Sequence, residues 1–262
     1  MSSLFLRDDL RAVPHGVGDV VQLTGDEARH AATVSRLRVG EQTSIGDGRG
    51  LVLHGVVTRA EPKLLEIVVE AAVEHPEPRP LVLLVQALAK GDRDELAIQT
   101  ATELGVSAVL PWQAERSISR WTGPKVAKGI ERWSSIVREA AKQSIRPHVP
   151  TVGDLVDTGA LARSAAEFRM LVLEPTATVR LTEVAGLGEE SGVPRAGRTT
   201  DAAATATPIA LVVGPEGGIS PRELERLADA GAEIVRLGDE VLRTSSAGPA
   251  ALAVLNVALG RW

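Results

Sequence analysis

The sequence has no cysteine and no tyrosine, and only two phenylalanines and four tryptophans. Without cysteine the chain can form no disulfide, iron–sulfur cluster, zinc knuckle or thiol nucleophile. The five histidines (His15, His30, His54, His75, His148) are scattered and no two stand at i, i+4, so no metal site is expected. So few aromatics argue against broad base stacking as a grip on nucleic acid. No apolar run reaches the roughly 20 residues of a membrane span. The stretch Met1 to Asp9 has acids where a signal peptide carries bases and lacks an apolar centre. A soluble, cytoplasmic, globular protein is expected, with no membrane association. Three fingerprints are missing too. No G-x-G-x-x-G follows a strand, no G-x-x-x-x-G-K-[ST] occurs, and no G-x-S-x-G elbow is present. These absences weaken a dinucleotide enzyme, an NTPase and an α/β-hydrolase.

What is present fits one large domain, or a small one beside a larger, over 262 residues. The net charge of −5 argues against a generic polyanion binder. It hides an asymmetry: between Glu115 and Arg146 eight bases face three acids. Such a segment reads either as a localised anion-facing surface or as a solvated helix face.

The first seventy residues are strand-rich, with β-branched runs at Asp19–Leu23, Thr43–Ile45, Gly50–Thr58 and Leu64–Glu70. One helix interrupts them, with Thr24 and Glu27 spaced as a capping box, reaching about Leu37. Residues 1–73 are expected to form a small β-barrel. Three prolines in 74–80 read as a stiff linker. From Leu81 on, apolar strands alternate with helices near Arg93–Leu104, Pro124–Ser144, Asp154–Ala166, Pro221–Ala230 and Ala247–Leu259. That rhythm predicts an α/β domain over 81–262, a parallel sheet with helices on both faces. Residues 186–207 are small, polar and aperiodic, and read as a disordered insertion.

Ligands of such a sheet bind beyond the carboxyl ends of its strands. There the sequence places Gly214-Pro215-Glu216-Gly217-Gly218, followed by the helix start Ser220-Pro221-Arg222-Glu223. Three glycines and a lone acid exceed what a connection needs, and glycine lets backbone approach a ligand. A second loop, Leu237 to Pro249, closes the next strand and carries Arg243, a candidate oxyanion contact. The apolar helix after it contains one polar residue, Asn256, expected to make a packing hydrogen bond.

These two loops resemble the RsmE group of SPOUT methyltransferases, which methylate N3 of uracil in 16S ribosomal RNA. Other blocks match in order: Leu4-Phe-Leu-Arg7, Lys90-Gly-Asp-Arg93, Ala101-Thr-Glu-Leu-Gly-Val106, Glu115-Arg-Ser117, Arg132-Trp133 and Ala140 to Pro147. The resemblance implies a PUA-like barrel joined to an α/β trefoil-knot domain, and a homodimer. It implies S-adenosylmethionine held by Leu173, Gly214, Glu216, Gly217, Gly218, Leu237, Gly238, Val241 and Leu242. The partner would be 16S ribosomal RNA in the small subunit, gripped by Arg7, Lys90, Arg116, Arg120, Arg132, Arg138, Lys142 and Arg146. Three departures stand out. Ser245 replaces the family's Glu after Leu-Arg-Thr, Thr100 stands near a usual Lys, and the 186–207 insertion is long.

Methyl transfer to a ring nitrogen needs positioning more than covalent help, and no metal. Removing the N3 proton leaves charge on the flanking carbonyl oxygens, which Arg243 is placed to stabilise. Glu216 is the candidate proton acceptor, or else shapes its loop. Trp112 and Trp121 flank Arg116 and are candidates to stack one base; Trp133 reads as core. Two alternatives remain open at this point: a SPOUT enzyme acting on another nucleotide, such as a transfer RNA 2′-hydroxyl, and a non-catalytic RNA-binding assembly protein.

Overall fold

The computed structural model describes residues 3–184 and 207–262. The expected insertion therefore lies, but for Thr207, outside the described residues. The chain divides into two compact units, one of Met1–Glu77 with Arg138–Val149, the other of Pro78–Val137 with Pro150–Trp262. The first unit thus takes in a second segment besides the expected 1–73.

In the first unit, β1 (Leu4–Leu6), β2 (Val20–Thr24), β3 (Gln42–Gly46), β4 (Leu51–Glu61) and β5 (Leu64–Glu74) form one sheet in the order β1-β3-β4-β5-β2. β1 pairs parallel with β3 and the other pairs are antiparallel. Phe5, Val21, Ile45, Leu53, Val57, Leu65 and Ile67 share one buried core. Five strands can bring side chains to one centre only if the sheet curls. The pairing of β4 with β5 shifts register at His54/Gly55 and at Val57/Arg59, which bends the strand. Gly55 lies so close to the Val68 carbonyl that any Cβ would collide with it. β1 escapes sequence periodicity because three residues are too few to show a repeat of two.

Helix α1 (Gly25–Arg29) continues into a π-helical turn at His30–Val34, ending short of Leu37. The expected capping box does not form: the Thr24 side chain makes no cap bond. The Glu27 carboxylate instead accepts from the Leu6 amide at 3.3 Å and from Lys142 Nζ at 2.8 Å. The Lys142 side chain is only 4% exposed, and a buried ammonium needs a carboxylate more than a surface turn needs a cap.

The second unit holds a seven-stranded sheet among the described residues. Its strands are β6 (Val82–Ala87), β7 (Ala108–Trp112), β8 (Thr151–Val152), β9 (Arg169–Leu173), β10 (Val179–Arg180), β11 (Ile209–Val213) and β12 (Glu233–Arg236). The order is β10-β12-β9-β11-β6-β7-β8, and the pairs are parallel. Its helices are α2 (Arg93–Glu103), the Pro124–Val137 part of α3 (Pro124–Gln143), α4 (Thr158–Ser164), α5 (Pro221–Asp229) and α6 (Thr244–Ala258). Val85, Val172, Ala210 and Val212 pack with Leu161 of α4 and Leu227 of α5. Leu84 and Val213, which alternate to the other face, meet Gly248 of α6. Helices therefore cover both faces, as the strand–helix alternation predicts.

α6 begins three residues before the expected Ala247 and contains Pro249. Gly248-Pro249 reads as a break in sequence. In the structure Pro249 sits in the second turn, where it removes one amide bond. Gly248 lets the helix press against the sheet, since a Cβ there would lie 2.9 Å from Leu84 Cδ1. Asn256 makes the expected packing bond, its Nδ2 donating to the Leu104 carbonyl at 2.7 Å.

Candidate active site

The loops after β9, β11 and β12 converge at the carboxyl end of the sheet around a cavity of about 410 Å3. Leu173, Gly214, Glu216, Gly218, Leu237, Gly238, Val241 and Leu242 line it, and so does Arg243. The parallel sheet explains this convergence: every strand delivers its following loop to the same rim.

The glycine-rich turn follows β11 directly. Gly214 accommodates Ile219, whose Cγ1 would lie 2.6 Å from any Cβ at position 214. Gly218 takes φ +71°, and its amide donates to the Pro215 carbonyl at 2.9 Å. Gly217 departs from the expectation. It does not line the cavity but faces Arg116, whose NH1 donates to the Gly217 carbonyl at 3.2 Å. The positive φ that a tight turn demands falls on its neighbour, so Gly217 supports the loop from outside. The turn ends in a formed capping box, with Ser220 Oγ accepting from the Glu223 amide and Glu223 accepting from the Ser220 amide.

Glu216 is tied down. Its Oε1 accepts from the Lys90 amide at 3.0 Å and from Arg93 NH1 at 2.8 Å. Burial pushes its carboxyl up, but its own backbone amide, Arg93 and the Lys90 amide together outweigh that and hold it below its ordinary value. A carboxylate so stabilised is a weak proton acceptor. The geometry gives Glu216 the other expected part, that of a clasp between the glycine turn and the loop before α2.

Arg243 is the N-cap of α6 and is exposed; among the described residues its side chain has no hydrogen bond or ion pair. The next residue is anchored. Thr244 Oγ1 donates to the Gly214 carbonyl at 2.8 Å and accepts from Gln86 Nε2 at 2.9 Å. Gln86 is wholly buried on β6, so the start of α6 is fixed to both the sheet and the glycine turn. The guanidinium of Arg243 is thus a free cation on a rigid mount. Ser245, where the family has an acid, lies buried in the first turn of α6.

Sequence reading missed two further cations of the cavity, Arg93 and Arg236. Arg236 NH1 donates to Asp239 at 2.8 Å, while its buried Nε has no partner among the described residues. Arg93 ends the Lys90-Gly-Asp-Arg93 block, past the loop after β6. The rule that ligands meet the carboxyl ends of strands, applied to β6 as to β11, would have found it.

The expected RNA-gripping cations divide between the units. In the second, Lys90 is exposed, Arg116 donates to Gly217, Arg120 NH2 donates to the Glu115 carbonyl at 2.8 Å, and Arg132 forks onto Glu95 at 2.7 to 3.2 Å. In the first, Arg7 pairs with Asp9, Arg138 with Asp8, and Arg146 is half-buried. Lys142 corrects its expectation: buried between Glu27 and Glu139, it faces no solvent and holds α1 to the end of α3. Trp112 is corrected too. It is fully buried with Nε1 donating to Thr158, so it offers no face to a base. Trp133 is core, as expected, with Trp121 edge-on to it at 5.4 Å. Among the described residues no three His, Asp or Glu side chains cluster as a metal site, and no helix is long and apolar enough to cross a membrane.

Residues 75–256 match the RNA methyltransferase domain family, and residues 23–70 match the RNA methyltransferase PUA domain. The ribosomal RNA small subunit methyltransferase E of Mycobacterium tuberculosis is 44% identical over 250 residues, covering 94% of this chain and 89% of its own. The Bacillus subtilis protein of the same name is 30% identical over 236 residues, covering 89% and 88%. The Neisseria gonorrhoeae ribosomal RNA small subunit methyltransferase E, solved bound to S-adenosylmethionine, superposes with a TM-score of 0.81. It is 27% identical and covers 98% of both chains.

Proposed function

Because the chain belongs to the family of RNA methyltransferases that carry a PUA domain, we propose that it methylates small-subunit ribosomal RNA from S-adenosylmethionine. The acceptor in this reading is N3 of a uracil in 16S ribosomal RNA. The observation that carries it is the cavity at the carboxyl ends of β9, β11 and β12, with Arg243, unpaired among the described residues, at its edge. The residues fit the cofactor. The volume is that of a small-molecule site. Leu173, Leu237, Val241 and Leu242 give apolar walls, and the buried Arg236 Nε, without a partner among the described residues, leaves a donor to be satisfied.

When bound, the cofactor supplies an electrophilic methyl on a sulfonium. The protein's part is positioning and charge. Uracil N3 must lose its proton, to solvent water since the clamped Glu216 is a weak acceptor, and the resulting charge spreads over the two adjacent carbonyl oxygens. Arg243 stabilises that charge from a mount that does not reorganise, because Thr244 and Gln86 fix the helix start behind it. Glu216, clamped by Arg93, keeps the glycine turn in the shape the cofactor meets. The target base leaves any stack to enter the cavity. The reading includes a cytoplasmic homodimer, for which Leu96 of α2 and Val257 of α6 offer exposed apolar side chains on two helices that pack together.

The test is incubation with labelled S-adenosylmethionine and undermethylated small-subunit particles, followed by nucleoside analysis. Label in 3-methyluridine is expected. Label in another nucleoside overturns the choice of acceptor, and no transfer overturns the activity.

A further inference from the structure

The cations of the second unit differ in what they hold. Arg93 and Arg132 hold carboxylates, Glu216 and Glu95. A group on α4 and α5 holds none. Arg163, Arg222 and Arg226 are exposed and, among the described residues, have no side-chain hydrogen bond or ion pair. They converge from the two helices on a second cavity of about 370 Å3. Arg116 and Arg120 lie on the loop after β7, which also lines it through Gln113 and Glu115, and they donate only to backbone carbonyls.

Three acids line the same cavity, but most of their acceptor oxygens are directed at protein donors. Glu223 Oε1 accepts from the Glu115 amide at 2.8 Å and from Thr158 Oγ1 at 2.6 Å, and Oε2 accepts from the Ser220 amide. Glu115 Oε2 accepts from Ser220 Oγ, and Asp157 caps the Ala160 amide. The arginine donors have no such use. The cavity also makes room for one of them: a Cβ on Gly159 would lie 2.9 Å from Arg226 NH2. A site whose acids are largely engaged by protein donors, and whose guanidinium forks are idle among the described residues, favours a ligand made of acceptors, and guanidinium matches phosphate geometry.

Its place narrows the ligand. The Gly214–Ser220 turn that lines the first cavity runs straight into α5, whose Arg222 and Arg226 line the second. We propose that the α4–α5 cavity is a phosphate groove that grips the RNA backbone beside the nucleotide being modified, through Arg163, Arg222 and Arg226. This rests on the methyltransferase reading for the identity of the strand. The arginines come from two helices on an exposed rim, which suits a continuous polyanion better than one small anion.

The test is the triple variant Arg163→Gln, Arg222→Gln, Arg226→Gln in the full chain, with S-adenosylmethionine affinity as the check on folding. The KM for undermethylated particles is expected to rise about tenfold, with kcat and cofactor affinity held. The log–log salt slope of RNA binding should fall by about 2, at about 0.7 for each single-strand phosphate that the variant no longer neutralises. The triple lysine variant should restore most of that slope. An unchanged KM and slope in the glutamine variant overturns the groove. A slope that falls in a protein that never transfers a methyl group leaves the groove standing and overturns the enzymatic reading instead.

Discussion

Among the described residues Arg243 has no side-chain partner, and that makes its removal clean. Arg243→Ala deletes a charge that no other described side chain relies on, so the fold should be untouched. If it stabilises the deprotonated uracil, the single-turnover rate falls about 10²- to 10³-fold while cofactor affinity holds. The glycines separate in the same way. Gly218→Val forces a β-branched residue to φ +71° at the cavity wall and should abolish S-adenosylmethionine binding measured by calorimetry. Gly217→Ala meets only Arg116, with Cβ at 3.2 Å, outside the cavity, and should leave that affinity within a few-fold. Glu216 sets a pH dependence. Its folded carboxyl titrates below the ordinary 4.5, so its pairing stabilises the protein above pH 4.5 and is lost as pH falls through the folded value. Arg93→Met should therefore lower the Tm above pH 4.5, and the gap from the parent protein should close as the solution is acidified below it. A gap independent of pH would mean that Arg93 acts by packing.

Elements show where local signals were overruled. The capping box on α5 forms because nothing competes for Ser220 and Glu223 except neighbours that reinforce it. The same spacing fails on α1 because Lys142 claims Glu27. That pair is testable as a brace: Lys142→Met leaves two carboxylates without their shared cation and should cost about 2 kcal/mol in urea unfolding. RNA affinity of the folded fraction should stay as it was, since the ammonium is buried. The start of α6 was hidden for a similar reason. Gly248 and Pro249 are poor helix formers, yet contact with Leu84 and Val213 holds the helix there.

At the scale of the molecule, the first unit is discontinuous in sequence. Residues 138–149 complete it: Gly50 donates to the Pro147 carbonyl, His148 Nε2 bonds the His75 carbonyl at 2.8 Å, and Lys142 neutralises Glu27. A fragment of residues 1–77 alone lacks these partners and should show no cooperative thermal transition by circular dichroism. Joining residues 138–149 to it through a flexible linker should restore one.

Residue order alone suffices for the alternation of strands and helices, the α/β class and the glycine turn after a buried strand. Each of these is written in short-range pattern, where residue type and spacing act on neighbours in the chain. Which charges are free is settled by packing in three dimensions. Arg132, Arg138 and Lys142 look alike in a basic segment, but their carboxylate partners lie between 3 and 130 residues away. Arg163, Arg222 and Arg226 look ordinary in sequence, and only the packing of α4 beside α5 brings them to one cavity. Electrostatic pairing depends on distance through space, which the order of residues along the chain does not record.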